Sequence, residues 1–252
     1  LGVNCFFKTS LQSKLSLEYH NSYEFRRGGD SLMLPADRAN VAEQTEHFVN
    51  SGGLKFDWFT SDYKHRIGVY ASTQHVHRDS YYGTHQDPNA YGTTNDLTIV
   101  GGIQYVYSMA KCWFLPAELT VGAEVNYNSL HDETISHRHD LQQEVFTYSA
   151  FAQNEWKNSQ WTFLLGLRMD KHSMIKMPIF SPRVNLRYNP AEWVSLRTGY
   201  AMGFRAPQIF DEDLHITAVG GKSSFVSNAS HLKPETSHSV NLSAEFYKRF
   251  GK

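Results

Sequence analysis

The chain has 252 residues, with 24 basic against 25 acidic side chains and a formal net charge of −1. That balance excludes a polycation that holds nucleic acid through its field. Two cysteines, Cys5 and Cys112, exclude a disulfide framework in a chain this long, and no apolar run reaches the roughly 18 residues of a membrane-crossing helix.

The opening residues, Leu1-Gly2-Val3-Asn4, carry no initiator methionine, basic n-region or apolar h-region, so the chain reads as an excised piece of a longer protein. The first clear pattern is LQSKLSLEYHNSYEF at 11–25. Its odd positions include Leu11, Leu15, Leu17, Tyr19, Tyr23 and Phe25, while every even position is polar. A helix would put Leu15 and Leu17 on different sides, so this is a strand, and a long one. The same period of two follows at Leu54/Phe56/Trp58, Ile67/Val69/Ala71, Leu97/Ile99/Ile103/Tyr105/Tyr107 and Leu119/Val121/Ala123/Val125/Tyr127. It returns at Phe146/Tyr148/Ala150/Ala152, Trp161/Phe163/Leu165/Leu167/Met169 and Val184/Leu186/Tyr188. Val194/Leu196/Thr198/Tyr200 and Val240/Leu242/Ala244/Phe246 complete the set. The expectation is an all-β chain of about ten strands with no convincing helix.

The connections alternate in length. Long polar ones lie near 26–46, 78–95, 129–143, 171–182 and 205–236, and short ones near 60–65, 108–116, 157–160 and 189–192. An antiparallel up-and-down sheet whose two ends face different surroundings has this rhythm, as outer-membrane barrels do. Trp58, Trp113, Trp156, Trp161 and Trp193 all fall at or beside short turns. Amphipathic rings collect at bilayer interfaces, so they form an aromatic girdle on the periplasmic side. The faces opposite the apolar ones carry Arg66, Arg168, Arg183, Arg187, Arg197, Glu118 and Glu124, which suits a water-filled lumen. A transmembrane β-barrel segment therefore leads; a soluble sandwich or jelly roll and a propeller also have alternating strands.

YAMGFRAPQIFDEDLH at 200–215 breaks the alternation. Gly203 eases a bend or close backbone approach, Pro207 stops the ladder because it has no N–H, and Asp211-Glu212-Asp213 is unsuited to lipid. The strand thus ends at the outer rim and opens an external loop. GFRAP, with the later LKPETSHS at 232–239, resembles the strand end of TonB-dependent outer-membrane receptors. RRGGD at 26–30, RDSYYGTHQDPNAYG at 78–92, QNEWKN at 153–158 and FSPRVNLRYNP at 180–190 are similar to the Bacteroidetes type, from about residue 11 to the C-terminus. The resemblance implies a twenty-two-stranded barrel plugged by an N-terminal domain. Residues 1–252 would then be an internal part of the barrel domain, lacking the plug, the TonB box and the terminal strands.

The implied function is TonB-energised uptake of a scarce, bulky ligand across the cell outer membrane: a ferric siderophore, haem or a corrinoid. The implied partners are the TonB complex through the missing plug, outer-membrane lipid and a small-molecule ligand such as a metal chelate, with no nucleic acid and no resident cofactor. Competing readings are a non-transporting surface-binding barrel, such as an adhesin or passive porin, and a soluble carbohydrate-binding β-sandwich. Catalysis is not expected, because no G-x-S-x-G, H-E-x-x-H or P-loop motif is present.

Candidate ligand-binding residues lie in the external loops. Tyr81, Tyr82 and Tyr91, beside Asp87 and Asn89, could stack planar ligands or sugars, or simply form a rim. His131, His137 and His139, with Asp132, Glu133 and Asp140, could hold a transition metal or haem iron, or form a solvated loop; the metal is left unspecified. Arg205, Asp211, Asp213 and His215 could meet ligand, and the acidic run could instead bind Ca²⁺ or brace Arg205. The inner arginines could guide an anion, or pair with Glu118, Glu124 and plug carboxylates. His75 and His77 are expected at headgroup level.

Overall fold

The computed structural model describes residues 1–134, 139–210, 214, 229 and 232–247. Its strands are β1 (Gly2–Ser10), β2 (Ser13–Gly29), β3 (Val41–Phe59), β4 (His65–Thr84), β5 (Tyr91–Cys112), β6 (Leu115–Thr134), β7 (His139–Lys157), β8 (Trp161–His172), β9 (Ile179–Ala191), β10 (Val194–Arg205) and β11 (Glu235–Phe246). All join one eleven-stranded sheet whose order across the sheet is the order along the chain. Every pairing is antiparallel, so this is an up-and-down meander. A sandwich needs two packed sheets and a propeller separate blades, so neither describes this chain. The helical content among the described residues is of the 3-10 kind, the turn Ala36–Arg38 and the residue Leu214. The sheet does not close: β1 and β11 each have one neighbour.

The sequence pattern gives one strand too few. β1 was not expected, because Phe6 and Phe7 are adjacent and break the period, although Val3 pairs with Tyr19 and Phe7 with Leu15 in register. Leu11, read as the first residue of a strand, sits in the turn between β1 and β2.

The strands also run further than the apolar pattern. β3 to β7 have 19 to 22 residues, whereas β8 to β11 have 12 or 13. The long connections are correspondingly shorter than expected, at 30–40, 85–90 and 173–178; only 206–234 stays long. Past the apolar band both faces of the tall strands become polar, so the alternation disappears while the backbone ladder continues. The short turns, at 11–12, 60–64, 113–114, 158–160 and 192–193, lie together at the other end. In one of them Asp62 accepts from the Thr60 hydroxyl (2.6 Å) and the Lys64 N–H (3.1 Å), which hold its carboxyl below the usual range.

The outer face is apolar and open. Leu54, Phe56, Val69, Ile103, Val125, Leu165, Leu167, Leu196 and Leu242 are all exposed large hydrophobics on the expected parity. No soluble monomer leaves that much contiguous apolar surface to water. At the short-turn end Trp113 and Phe163 stack on either side of Trp156 (centroids 5.6 and 5.5 Å), and Trp161 stacks on Tyr188 (4.0 Å). A second ring, of tyrosine and phenylalanine, lies nearer the other end: Tyr23 with Phe48 (5.1 Å) and Tyr127 with Phe146 (4.7 Å). His77 joins it beside Phe48 (6.2 Å). Two rings bracketing an apolar band are the mark of a strand-spanned bilayer.

Val121 sits in that band on β6. Val121→Arg in the full-length protein is expected to destabilise the folded barrel by about 2–4 kcal/mol in reversible denaturation. Ser72→Arg, at an exposed inner-face position of β4, is expected to cost well under half of that. Thr120, the inner neighbour of Val121, is only 5% exposed and makes a poor control. Equal losses at Val121 and Ser72 would contradict a lipid-facing outer surface.

Candidate functional site

On the charged face, side chains from non-adjacent strands meet, which marks it as the concave inner surface. The Tyr70 hydroxyl of β4 donates to Glu124 of β6, across β5. It can cross because β5 has Gly102 beneath it: a Cβ there would lie 2.5 Å from the phenol oxygen. Arg168 of β8 donates to Glu124 (2.8 Å), to Asp170 (2.8 Å) and to the Ser149 hydroxyl (2.8 Å), and Ser149 donates to Asp170 (2.6 Å). The inner arginines were expected either to guide an anion or to pair with barrel carboxylates; Arg168 does the second.

A second network lies nearer the long-connection end. Arg78 donates twice to Thr94 (3.1 and 2.7 Å), Thr94 donates to Asp132, and Arg78 lies 3.6 Å from the same carboxylate. His139 approaches the other oxygen of Asp132 (3.3 Å). Arg78, Thr94 and Asp132 are 5%, 0% and 6% exposed. Removing one member of a buried charge network strands the rest, so the network holds β4, β5, β6 and β7 in one arrangement.

The third feature is a strap. Pairing of β10 with β11 reaches Arg205 opposite Glu235 and stops before Pro207, as the missing N–H requires. Residues 206–210 then turn onto the inner face. Ile209 packs with Leu130, Leu214 and Leu141, and its backbone N–H and C=O both bond the Gln143 amide (3.0 and 2.8 Å). Gln208 meets His172 at 2.8 Å, and the Arg205 guanidinium lies over the Phe210 ring at 4.9 Å. The strap therefore covers part of the lumen mouth from β6 to β8. Neither Gln143 nor Ile209 was identified from sequence. A lone apolar Leu130 on an otherwise polar parity was the available signal.

The expected ligand residues divide. Tyr81, Tyr82 and Tyr91 are not in a loop; they end β4 and begin β5. Tyr81 is 1% exposed, packs against Ala36, Ala39, Ala42 and Ala90, donates to the Asp87 carbonyl (2.9 Å) and meets Tyr91 edge-on (4.9 Å). It pins the 30–40 and 85–90 connections together, as does the His85 N–H on the Asn40 carbonyl (2.7 Å). Gly29 starts the first connection at φ +104°, where a Cβ would overlap the Val41 carbonyl at 2.1 Å. Tyr82 is also buried, on the opposite face, and Tyr91 alone is exposed. His131 pairs with Asp140 (3.2 Å) on the outer face, whereas His139 pairs with Asp132 inside. Two histidines on opposite faces of one sheet cannot share an ion. Among the described residues no group of three or more His, Cys, Asp or Glu side chains could hold a metal. His137, Asp211, Asp213 and His215 lie outside the described residues.

The family described as TonB dependent receptor-like, beta-barrel, matches residues 9–252. No curated protein gives a significant match. Among solved structures, the siderophore receptor PirA from Acinetobacter baumannii aligns with a TM-score of 0.72 at 18% identity, over 96% of this chain and 40% of that one. PirA from Pseudomonas aeruginosa aligns with a TM-score of 0.73 at 14% identity, over 98% and 43%. The ferric citrate transporter FecA, in its unliganded form, gives 0.64 at 13%, over 97% and 40%. The likeness is one of fold, and the chain spans about two fifths of the length of each of these structures.

Gln143→Leu keeps the volume of the side chain and removes both of its bonds to Ile209. It is expected to weaken docking of the strap by about 1–3 kcal/mol, because a backbone donor and acceptor lose their partner. Hydrogen exchange at the Ile209 amide should quicken roughly ten- to a hundredfold while β6 and β7 amides hold their protection. Unchanged exchange at Ile209 would mean that the strap is held by other contacts.

Proposed function

The chain belongs to the TonB-dependent receptor β-barrel family, and on that premise we propose that it forms part of the wall of a transporter driven by TonB. It is a segment of an outer-membrane receptor and not of an enzyme. An open sheet edge is not tolerated in hydrocarbon, so strands outside residues 1–252 complete the barrel in the full-length protein. A plug domain, also outside them, occupies the lumen and receives TonB.

The cargo is a scarce, bulky metal chelate, with a ferric siderophore first among the candidates and haem or a corrinoid after it. The observation that carries this reading is the strap. A mouth narrowed from inside by a docked polypeptide suits capture of a particular ligand more than free passage of small solutes. Structural relatives include a siderophore receptor in two species and a ferric citrate transporter, which favours an iron chelate. Ligand contacts come from the long-connection end: His139, Arg205 and the 211–215 segment with Asp211, Asp213 and His215, joined by His137 from the connection after β6. Tyr91 and His131, on the outer face, contribute only if their connections reach back over the rim, and the buried Tyr81 holds the 30–40 and 85–90 connections in place.

Binding of purified full-length receptor to a panel of ferric siderophores, haem and cobalamin, followed by growth of a deletion strain on the ligand that binds, tests the cargo. The expected result is tight binding of one iron chelate and loss of growth on it. Free diffusion of small sugars through the reconstituted receptor, with no chelate bound, would favour a porin instead.

Asp211→Asn with Asp213→Asn keeps size and removes two charges. Weaker chelate binding per folded receptor is expected, with heat-modifiable gel mobility unchanged. Failed assembly with normal binding by the folded fraction would make the acidic run a structural rim.

A further inference from the structure

At the short-turn end of the inner face, one cross-strand row reads Lys157, Thr162, Arg187 and Arg197 across β7 to β10. Three of the four are cations, and Arg187 and Arg197 stand directly opposite each other. Like charges so placed repel unless something lies between or above them. Arg197 has its own answer in a two-pronged pair with Glu245 (2.8 and 3.2 Å). Arg187 does not: among the described residues no carboxylate lies within ion-pair distance of it. Glu192 lines the same cavity from the turn, but is exposed and pairs with neither arginine.

The polar groups around Arg187 are unsatisfied in the same sense. The Arg187 Nε, the Thr162 hydroxyl, the Ser195 hydroxyl and the Asn189 side-chain oxygen are all buried and have no hydrogen-bond partner among the described residues. Ser195 is 7% exposed, so its hydroxyl is largely covered. Arg187, Asn189, Ser195 and Arg197 line one open cavity of about 480 Å³. Buried polar atoms left unpaired are rare in native structures, and several around one cavity call for an occupant. Water would serve the hydroxyls and the amide, but between Arg187 and Arg197, which stand opposite each other, it only screens a repulsion that an anion would remove. A group with two or more acceptor oxygens and a negative charge does both, because a guanidinium presents parallel donors.

We propose that Arg187, Asn189 and Ser195, with Arg197 beside them and Thr162 paired to Arg187 across the ladder, form an oxyanion site on the inner wall at the short-turn end. The ligand class is a carboxylate or phosphate. It has two sources, a carboxylate side chain from another part of the full-length polypeptide or a free phosphate. The site lies at the opposite end of the strands from the ligand-capture region, so either reading stands if the other fails.

Thr162→Val and Ser195→Ala in the full-length receptor separate the outcomes by sign. Replacing a hydroxyl that truly lacks a partner by an apolar group of similar shape is neutral or stabilising, whereas removing one that holds an anion is destabilising. The readout is the temperature at which the folded barrel loses its heat-modifiable mobility, with and without 10 mM inorganic phosphate (~10 mM, well above a weak-site Kd). Lower midpoints for both variants by a few degrees, indifferent to phosphate, would identify a carboxylate of the protein's own chain. A midpoint raised by phosphate in the wild type and not in the variants would identify a free anion. Variants as stable as the wild type or more so, with no phosphate effect, would overturn the proposal.

Discussion

In hydrocarbon no solvent is present to bond a backbone N–H or C=O, so each must find a partner within the protein. Every other feature of this sheet follows from that demand. It explains the meander order, since neighbours in sequence are the cheapest ladder partners and loop closure is short. It explains why the pairing of β10 with β11 stops before Pro207, which has no N–H to give. It also separates the two surfaces: with the ladder absorbing the backbone, side chains alone decide what each face meets. One face shows Leu, Ile, Val and Phe to lipid, and the other gathers arginine, glutamate, serine and threonine.

That separation made most of the fold legible in sequence, because a two-residue period survives any change in loops. It failed where side chains stopped obeying it for physical reasons. β1 was hidden by Phe6 and Phe7, one on each face. The upper halves of β4, β5 and β6 were hidden because water on both sides removes the apolar parity while leaving the ladder intact. Tyr81 looked like an external ring on a loop, yet three of the alanines it packs against, Ala36, Ala39 and Ala42, lie about forty positions earlier in the chain, which no local pattern reports. His131 and His139 looked like partners because they are close in sequence. Parity across a hairpin, counted through the turn, would have put them on different faces.

The inner surface carries two kinds of polar arrangement. Around Glu124 and around Asp132, charges are matched by partners from several strands, and the wall there is complete in itself. Around Arg187 the matching is unfinished. Such contrast within one face is informative, because the same solvent, dielectric and curvature act on both. What differs is the supply of acceptors, and that distinction is chemical instead of architectural.

The strands of unequal length described above give the wall a height that falls from β7 to β8. For a body diffusing in from outside, the taller flank is a backstop and the lower flank a gap. The connection 206–234 springs from the lower flank, and its first residues bend toward the taller one at Leu130 and Gln143. The mouth is thus built of two kinds of polypeptide: fully laddered strands on one side, and residues 206–210, held by Gln143 and Leu130 outside the ladder, on the other. A substitution in those five residues alters the mouth without removing one backbone bond from the wall.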